Sequence, residues 1–384
     1  MTAAATACVV GIGETRYTRW GGISDRSELS LACEAITAAC QDAGLGVECI
    51  DGVASYAYDS NDPWLLEESL GFEQLRFKGM VWGGGGGGSY AAIAQAVAAI
   101  QSGQSNYVAV FRSLCQGGGH RYGRGYEVPH GRNFLTPFGM LSPPLMLAPL
   151  AQRYKYEFGI TPEQFGEVAL VCRDNASRNP RAVLGGRPLT METYLNSRMI
   201  ADPLRLFDCC QENDGACALI VTSVERARDL RRKPVRILAA GQGSEPGWSS
   251  GGLGSHSMPE ASYAAGAGKR LAEQLYAQAG ITRDDVDTVQ IYDHFTPFVL
   301  MALEAFGFCG RGEGGQFVSE GHIRWPTGRL PLNTSGGHLS EAYIHGLNLA
   351  VEGVRQLRAE STSQVAGAEI CVVTCGVSAA ILGA

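Results

Sequence analysis

The chain is 384 residues long, 45% hydrophobic and 18% charged, proportions that exclude wholesale disorder. Its formal net charge of −7 leaves no basic footprint for nucleic acid and no attraction to an anionic membrane. Only four of its basic residues are lysines, Lys78, Lys155, Lys233 and Lys269, so Schiff-base chemistry has few candidates.

In chain order, the small residues of Met1–Ala7 carry no signal-peptide charge or apolar core. Cys8–Ile12 reads as a buried strand. Ser27–Ala43 reads as a helix, because Leu29, Ala32, Cys33, Ile36 and Cys40 recur at helical spacing. Val53–Tyr56 is a short strand. Six glycines, Gly83–Gly88, open an alanine-rich helix over Ser89–Gln101, and Tyr107–Phe111 is the next strand. Ser113–Ser142 is irregular. Pro143–Phe158 and Thr161–Asn175 read as helices, and Asn175–Leu204 as loop with a short helix. Cys217–Thr222 and Val235–Ala240 are strands, Lys269–Ala279 a helix, and Thr288–Tyr292 a strand. Leu347–Arg358 is a helix and Glu369–Thr374 a strand. Alternating strands and helices predict an α/β architecture with buried sheets.

No apolar run approaches a membrane span. Most of the twelve cysteines lie in apolar patterns and read as buried thiols. No Cys-x-x-Cys pair occurs, and Cys209-Cys210 are adjacent, a spacing unsuited to zinc. The expectation is a reduced, cytoplasmic protein. Gly11-Ile12-Gly13 lacks the third glycine of a dinucleotide site, and Arg270 after Gly266-Ala267-Gly268-Lys269 replaces the hydroxyl of a phosphate loop.

The chain also repeats itself. Ala43-Gly44-Leu45 recurs as Ala279-Gly280-Ile281, and Ile50-Asp51-Gly52-Val53 as Val286-Asp287-Thr288-Val289, at a common offset of 236 positions. Two similar α/β halves that meet near Glu225–Lys233 account for this.

Four segments carry the chemistry. Ser197–Leu204 leads into Asp208-Cys209-Cys210 and Asp214-Gly215-Ala216-Cys217-Ala218. Ile291-Tyr292-Asp293-His294-Phe295 follows a strand, Asn333-Thr334-Ser335-Gly336-Gly337 precedes a helix, and Cys375-Gly376 follows the last strand but one. In this order they resemble the thiolase superfamily, in its sterol-carrier/lipid-transfer branch, over essentially the whole chain. The resemblance implies a duplicated, five-layered αβαβα fold. Residues 1–112 and 205–228 would form the N-terminal half, 113–204 an inserted loop domain, and 229–384 the C-terminal half.

The departures from that pattern are informative. The thiolase nucleophilic cysteine falls at Gly85, to within one residue, and glycine closes the acyl-enzyme route. The thiolase histidine falls on Tyr343, and the polar residue of the facing loop on Tyr292. Cys115 and Cys210 are the conceivable substitute nucleophiles. A phenol exchanges protons, although its ordinary pKa near 10 makes it a poor base. The pattern is similar to bacterial steroid side-chain-cleaving aldolases that lack the thiolase cysteine. That resemblance implies retro-aldol cleavage of a β-hydroxyacyl-CoA steroid, 17-hydroxy-3-oxo-4-pregnene-20-carboxyl-CoA, to a ring ketone and propionyl-CoA. The alternative is a non-catalytic acyl-CoA or lipid carrier subunit.

The expected catalytic residues are Tyr292 and Tyr343, with His338 and His294 as further bases. Backbone donors near Gly85 and Gly376 would stabilise the enolate. Arg121, Arg124 and His345 are expected to bind substrate, since guanidinium groups suit the phosphates of CoA. No cofactor is expected beyond the CoA of the substrate. The expected partners are a second copy, paired around Tyr107–Phe111, and a small acyl-CoA-binding protein with an OB-fold and zinc ribbon.

Overall fold

The computed structural model describes residues 6–57, 59–82, 85–118, 136–245 and 264–384. Arg121, Arg124, Gly83 and Gly84 lie outside the described residues. The first half contains β1 (Ala7–Glu14), β2 (Thr18–Arg19), α1 (Glu28–Ala43), β3 (Gly52–Tyr56), α2 (Pro63–Leu70), β4 (Phe77–Val81), α3 (Ser89–Gln101) and β5 (Tyr107–Leu114). An inserted segment follows, with α4 (Pro143–Phe158), α5 (Pro162–Arg178), α6 (Met191–Leu195), β6 (Met199–Ala201) and β7 (Leu204–Arg205). β8 (Asn213–Ser223) completes the first half. The second half contains β9 (Val235–Gln242), α7 (Lys269–Ala279), β10 (Thr288–Ile291), α8 (Thr296–Ala305), α9 (Gly314–Ser319), α10 (Gly337–Ser340), α11 (Leu347–Arg358), β11 (Ile370–Thr374) and β12 (Ser378–Gly383).

The 236-residue repeat is a structural one. α1 and α7 both end on a left-handed glycine, Gly44 (φ 76°) and Gly280 (φ 68°), a conformation that costs glycine little. One turn later, Asp51 accepts from the backbone N–H groups of Asn106 and Tyr107, at the start of β5. Asp287 accepts in the same way from Glu369 and Ile370, at the start of β11. Each carboxylate thus ties the entry of one central strand to its parallel neighbour.

The strand orders correspond as well. The first half runs β4-β3-β5-β8-β1 and the second β10-β11-β12-β9, joined by antiparallel pairing of β1 with β9. β3 and β5 are parallel, as are β10 and β11. The second half therefore has four strands among the described residues, not five. In the fifth place stands a single bridge from Leu332 to Val289. Pro331 lacks a backbone donor and Asn333 is left-handed (φ 46°), so a strand cannot extend there. α3 and α11 pack between the two halves, with Tyr90, Ile93, Leu347 and Val351 in one core. α1 covers the outer face of the first half and α7 that of the second.

Two glycine motifs have packing explanations. A Cβ on Gly11 or Gly13 would lie about 2 Å from a carbonyl oxygen of α1, that of Ala39 or Ala35. A Cβ on Gly266 would strike the Met301 carbonyl oxygen.

Three expectations need correction. A second copy was expected to pair around Tyr107–Phe111, which requires an open sheet edge, but β5 is interior, between β3 and β8. The edge is β4, a five-residue strand interrupted by Lys78 and Gly79, too short and too polar to show an apolar alternation. β5 also runs on to Leu114, past residue 112. Finally, the inserted segment shares its core with the second half: Phe165, Val168 and Cys172 of α5 lie with Val289, Leu300 and Leu332.

Candidate active site

Tyr292 immediately follows β10, where its N–H donates to the Thr374 carbonyl at the end of β11. Tyr343 lies between α10 and α11, and its backbone N–H donates to the Asn213 side chain at 2.7 Å. Asn213 opens β8 and is fully buried. A first-half strand therefore fixes a second-half loop. The two phenol oxygens lie 2.6 Å apart, a short hydrogen bond. The Gly86 N–H donates to the Tyr292 oxygen at 2.9 Å.

Gly86 replaces Gly85 as the informative glycine. A Cβ there would lie 1.9 Å from Cε2 of Tyr292. The phenol ring fills the space that a side chain at the head of α3 would need. The glycine and the tyrosine are thus one steric solution, made by residues 206 positions apart.

Three histidines surround the pair. The His338 ring centroid is 4.6 Å from that of Tyr292 and 5.2 Å from that of Tyr343, edge-on to both. His294 is 4.9 Å from Tyr292, and His345 is 5.0 Å from Tyr343. Burial pushes the His338 pKa down to about 3 and that of His294 to about 4. Both are neutral imidazoles at neutral pH. His338 Nδ1 lies 3.2 Å from Asp293 Oδ1, but at an angle that makes no hydrogen bond. Asp293 instead accepts from the backbone N–H groups of His338 and Leu339. Burial raises its pKa to about 6 against those donors.

His294 makes a testable statement about stability. Its folded pKa lies below that of the unfolded chain, so the unfolded state binds more protons between about pH 6.5 and pH 4. Its presence therefore destabilises the fold as pH falls through that window. His294 stacks near Phe295 and Phe298, so His294→Phe should be accommodated. The variant should gain stability over the parent on acidification, on the order of 1–2 kcal/mol by pH 4 after allowance for the ring's partial exposure. Parallel melting curves from pH 7 to pH 4, with a constant gap between the two proteins, would contradict this.

The expected enolate donors fare unevenly. The Gly376 N–H is taken by Thr374 Oγ1 at 2.9 Å, inside its own turn. This is a correction: the left-handed Gly376 (φ 88°) shapes the turn and does not present a free donor. The turn nevertheless packs against the glycine run, since Cys375 Sγ contacts the Gly87 carbonyl oxygen at 3.7 Å.

The substitute nucleophiles lose support. Cys115 Sγ contacts the carbonyls of Ile23 and Arg26, away from the tyrosines. Burial pushes the Cys210 thiol well up, so it stays protonated. Its backbone N–H donates to the His294 carbonyl, a scaffold role. Among the described residues no group of His, Cys, Asp and Glu side chains is arranged to hold a metal, and no helix is long and apolar enough to cross a membrane.

Sequence reasoning missed Asn213 and Arg112, while Gly86 falls within the one-residue margin set around Gly85. Asn213 falls in the gap between Asp208-Cys209-Cys210 and Asp214–Ala218 and was given no role. Arg112 sits in β5, where an arginine in an apolar strand was the available signal. Its guanidinium is buried against Asp59 at 2.5 Å and donates through Nε to His345 Nδ1 at 3.2 Å.

The chain is similar to known proteins in sequence and in fold. Residues 251–380 match the family described as Thiolase C-terminal domain-like. The chain is 42% identical over 378 residues to the 17-hydroxy-3-oxo-4-pregnene-20-carboxyl-CoA lyase of Mycobacterium tuberculosis, covering 96% of each chain. It is 41% identical to the steroid side-chain-cleaving aldolase of Thermomonospora curvata, covering 98% of each. The solved structure of the Ltp2-ChsH2(DUF35) aldolase superposes with a TM-score of 0.92 at 40% identity, over 99% of this chain and 98% of that one.

Proposed function

The chain belongs to the thiolase-fold family of steroid side-chain-cleaving aldolases, and we propose that it catalyses retro-aldol cleavage of 17-hydroxy-3-oxo-4-pregnene-20-carboxyl-CoA to a ring ketone and propionyl-CoA. The observation that carries the reading is the 2.6 Å contact between the Tyr292 and Tyr343 hydroxyls, capped by the Gly86 N–H. A single phenol is a poor base at neutral pH. A hydrogen-bonded pair avoids a free phenolate, because it takes one proton in as it gives another out.

The Tyr292 oxygen accepts from the Gly86 N–H and takes up the proton of the tertiary hydroxyl as its own phenolic proton leaves. The phenolic proton of Tyr292 crosses to Tyr343. The carbon–carbon bond breaks as the alkoxide pair becomes the ketone C=O, leaving the bond's electrons on the thioester enolate. The proton of Tyr343 then reaches the enolate carbon, giving propionyl-CoA. No covalent acyl-enzyme forms, in accord with Gly86 at the head of α3.

We extend the proposal to assembly. The Ltp2-ChsH2(DUF35) aldolase is named for two components, and a small acyl-CoA-binding partner with an OB-fold and zinc ribbon suits this chain too. A second copy would pair along β4, where Trp64, Met80 and Trp82 are exposed beside the open strand edge.

The test is product analysis by mass spectrometry on a panel of β-hydroxyacyl-CoA steroids, on the chain alone and with its partner. Ring ketone and propionyl-CoA should appear without added free CoA. A strict requirement for free CoA would mean thiolysis. Tight acyl-CoA binding with no product under either condition would mean a carrier.

A further inference from the structure

The retro-aldol reading needs a donor for the developing enolate oxygen, and the N–H groups of Gly86 and Gly376 already donate, to Tyr292 and to Thr374 respectively. We propose that the donor is the Nε2–H of His345, and that Arg112 is the positioning residue that holds His345 in this tautomer. The proposal rests on the retro-aldol reading and names a further catalytic residue for it.

The tautomer follows from the partners. A guanidinium donates and never accepts. Arg112 Nε is directed at His345 Nδ1 at 3.2 Å, so Nδ1 is the acceptor and the proton of the neutral ring is on Nε2. Arg112 is itself held in place. Its Nη1 pairs with Asp59, and Glu28 stands 4.0 Å away. Arg112 and His345 are both buried. Burial and the adjacent guanidinium keep the imidazole well below the ordinary histidine pKa. It therefore serves as a donor that holds its proton, not as an acid that surrenders it.

The position is also deliberate in conformation. His345 is left-handed (φ 49°), a backbone state that costs a side-chain-bearing residue energy and persists where surroundings over-determine it. Its carbonyl accepts from the Tyr56 hydroxyl at 2.9 Å. Its ring stands 5.0 Å from that of Tyr343, the residue proposed to protonate the enolate carbon. A neutral imidazole donor beside that carbon suits an enolising thioester, because it stabilises oxygen charge without quenching it by proton transfer. During cleavage the electron pair of the broken bond delocalises onto the thioester oxygen. The Nε2 proton stays on nitrogen, and the carbon takes its proton from Tyr343.

The experiment separates enolate stabilisation from bond cleavage. Propionyl-CoA, the proposed product, is incubated with enzyme and partner in deuterium oxide, and exchange of its α-hydrogens is followed by mass spectrometry. His345→Phe should lower both exchange and cleavage by about 10²–10³-fold, with KM little changed. His345→Gln, which keeps an N–H donor near the Nε2 position, should recover a large part of both rates. Wild-type rates in His345→Phe, or equal losses in both variants with intact melting curves, would overturn the proposal. Nitrogen NMR on histidine-labelled wild-type protein gives a readout that needs no variant. Nδ1 of His345 should be unprotonated and Nε2 protonated, and the reverse assignment would overturn it. If the wild-type protein neither cleaves the steroid thioester nor exchanges propionyl-CoA, the retro-aldol reading itself fails, a distinguishable result.

Discussion

Tyr343→Phe and Tyr292→Phe should each slow cleavage by about 10²–10⁴-fold, the usual cost of removing a general acid or base. The substitution keeps the ring and deletes one oxygen, so neither cavity nor overpacking follows. Tyr292 contacts Gly86 and the His294 and His338 rings through its aromatic body, and these contacts survive. Acyl-CoA affinity should therefore stay near that of the parent, as should the melting temperature of Tyr343→Phe, while Tyr292→Phe also removes the acceptor of the buried Gly86 N–H and should melt somewhat lower. The two losses should also be strongly non-additive, because either change breaks the same 2.6 Å relay. Steady-state kinetics on both single variants and the double variant measure this. Wild-type turnover in both singles would make the phenols packing residues and turn attention to His338, next to both rings.

Gly86→Cys should abolish aldolase activity without creating a thiolase. Its Cβ would overlap the Tyr292 ring at Cε2, 1.9 Å away, so the ring must move. That movement breaks both the Gly86 N–H contact and the contact with Tyr343. A fall at least as large as that of Tyr292→Phe is expected, with about 1–3 kcal/mol of overpacking cost visible as a lower melting temperature. The new thiol would gain no effective base, since a tyrosine stands where a thiolase has its histidine, and burial lowers the nearby His338 and His294 imidazoles to pKa values of about 3 and 4, too weakly basic to hold a thiol's proton. The check is paired: steroid cleavage, and CoA-dependent thiolysis of a 3-ketoacyl-CoA. Retained aldolase activity would show that the space above Gly86 is not needed. New thiolysis would show that a base is at hand after all.

The repeat, the helices and most strands were legible because each depends on local order. α3, α4, α7 and α11 are continuous apolar or capped patterns, and their expected bounds agree with the structure. The offset of 236 marks a real duplication because Asp51 and Asp287 perform the same strand-entry task. Elements whose character depends on neighbours were not legible. β4 is an edge strand with polar interruptions, and β12 is Ser-Ala-Ala-Ile-Leu-Gly, fully buried and without alternation. α8, Thr296–Ala305, is apolar nearly all round because it is covered on several sides, so it lacks the one-sided stripe that identifies a helix.

Of the site, the residue types at Tyr292 and Tyr343 were readable from the motif spacing, and with them the loss of the nucleophile. What only the tertiary structure decided is which atoms are already engaged. Gly376 could not be known to spend its N–H on Thr374, nor Gly86 to yield its side-chain space to Tyr292, nor Arg112 to set the tautomer of His345 across 233 positions. Sequence spacing specifies which groups a loop carries. Hydrogen bonds between segments distant in the chain decide which of those groups remain available for chemistry, because each donor and acceptor site can be filled once, and its partner is chosen only when the two halves close on each other.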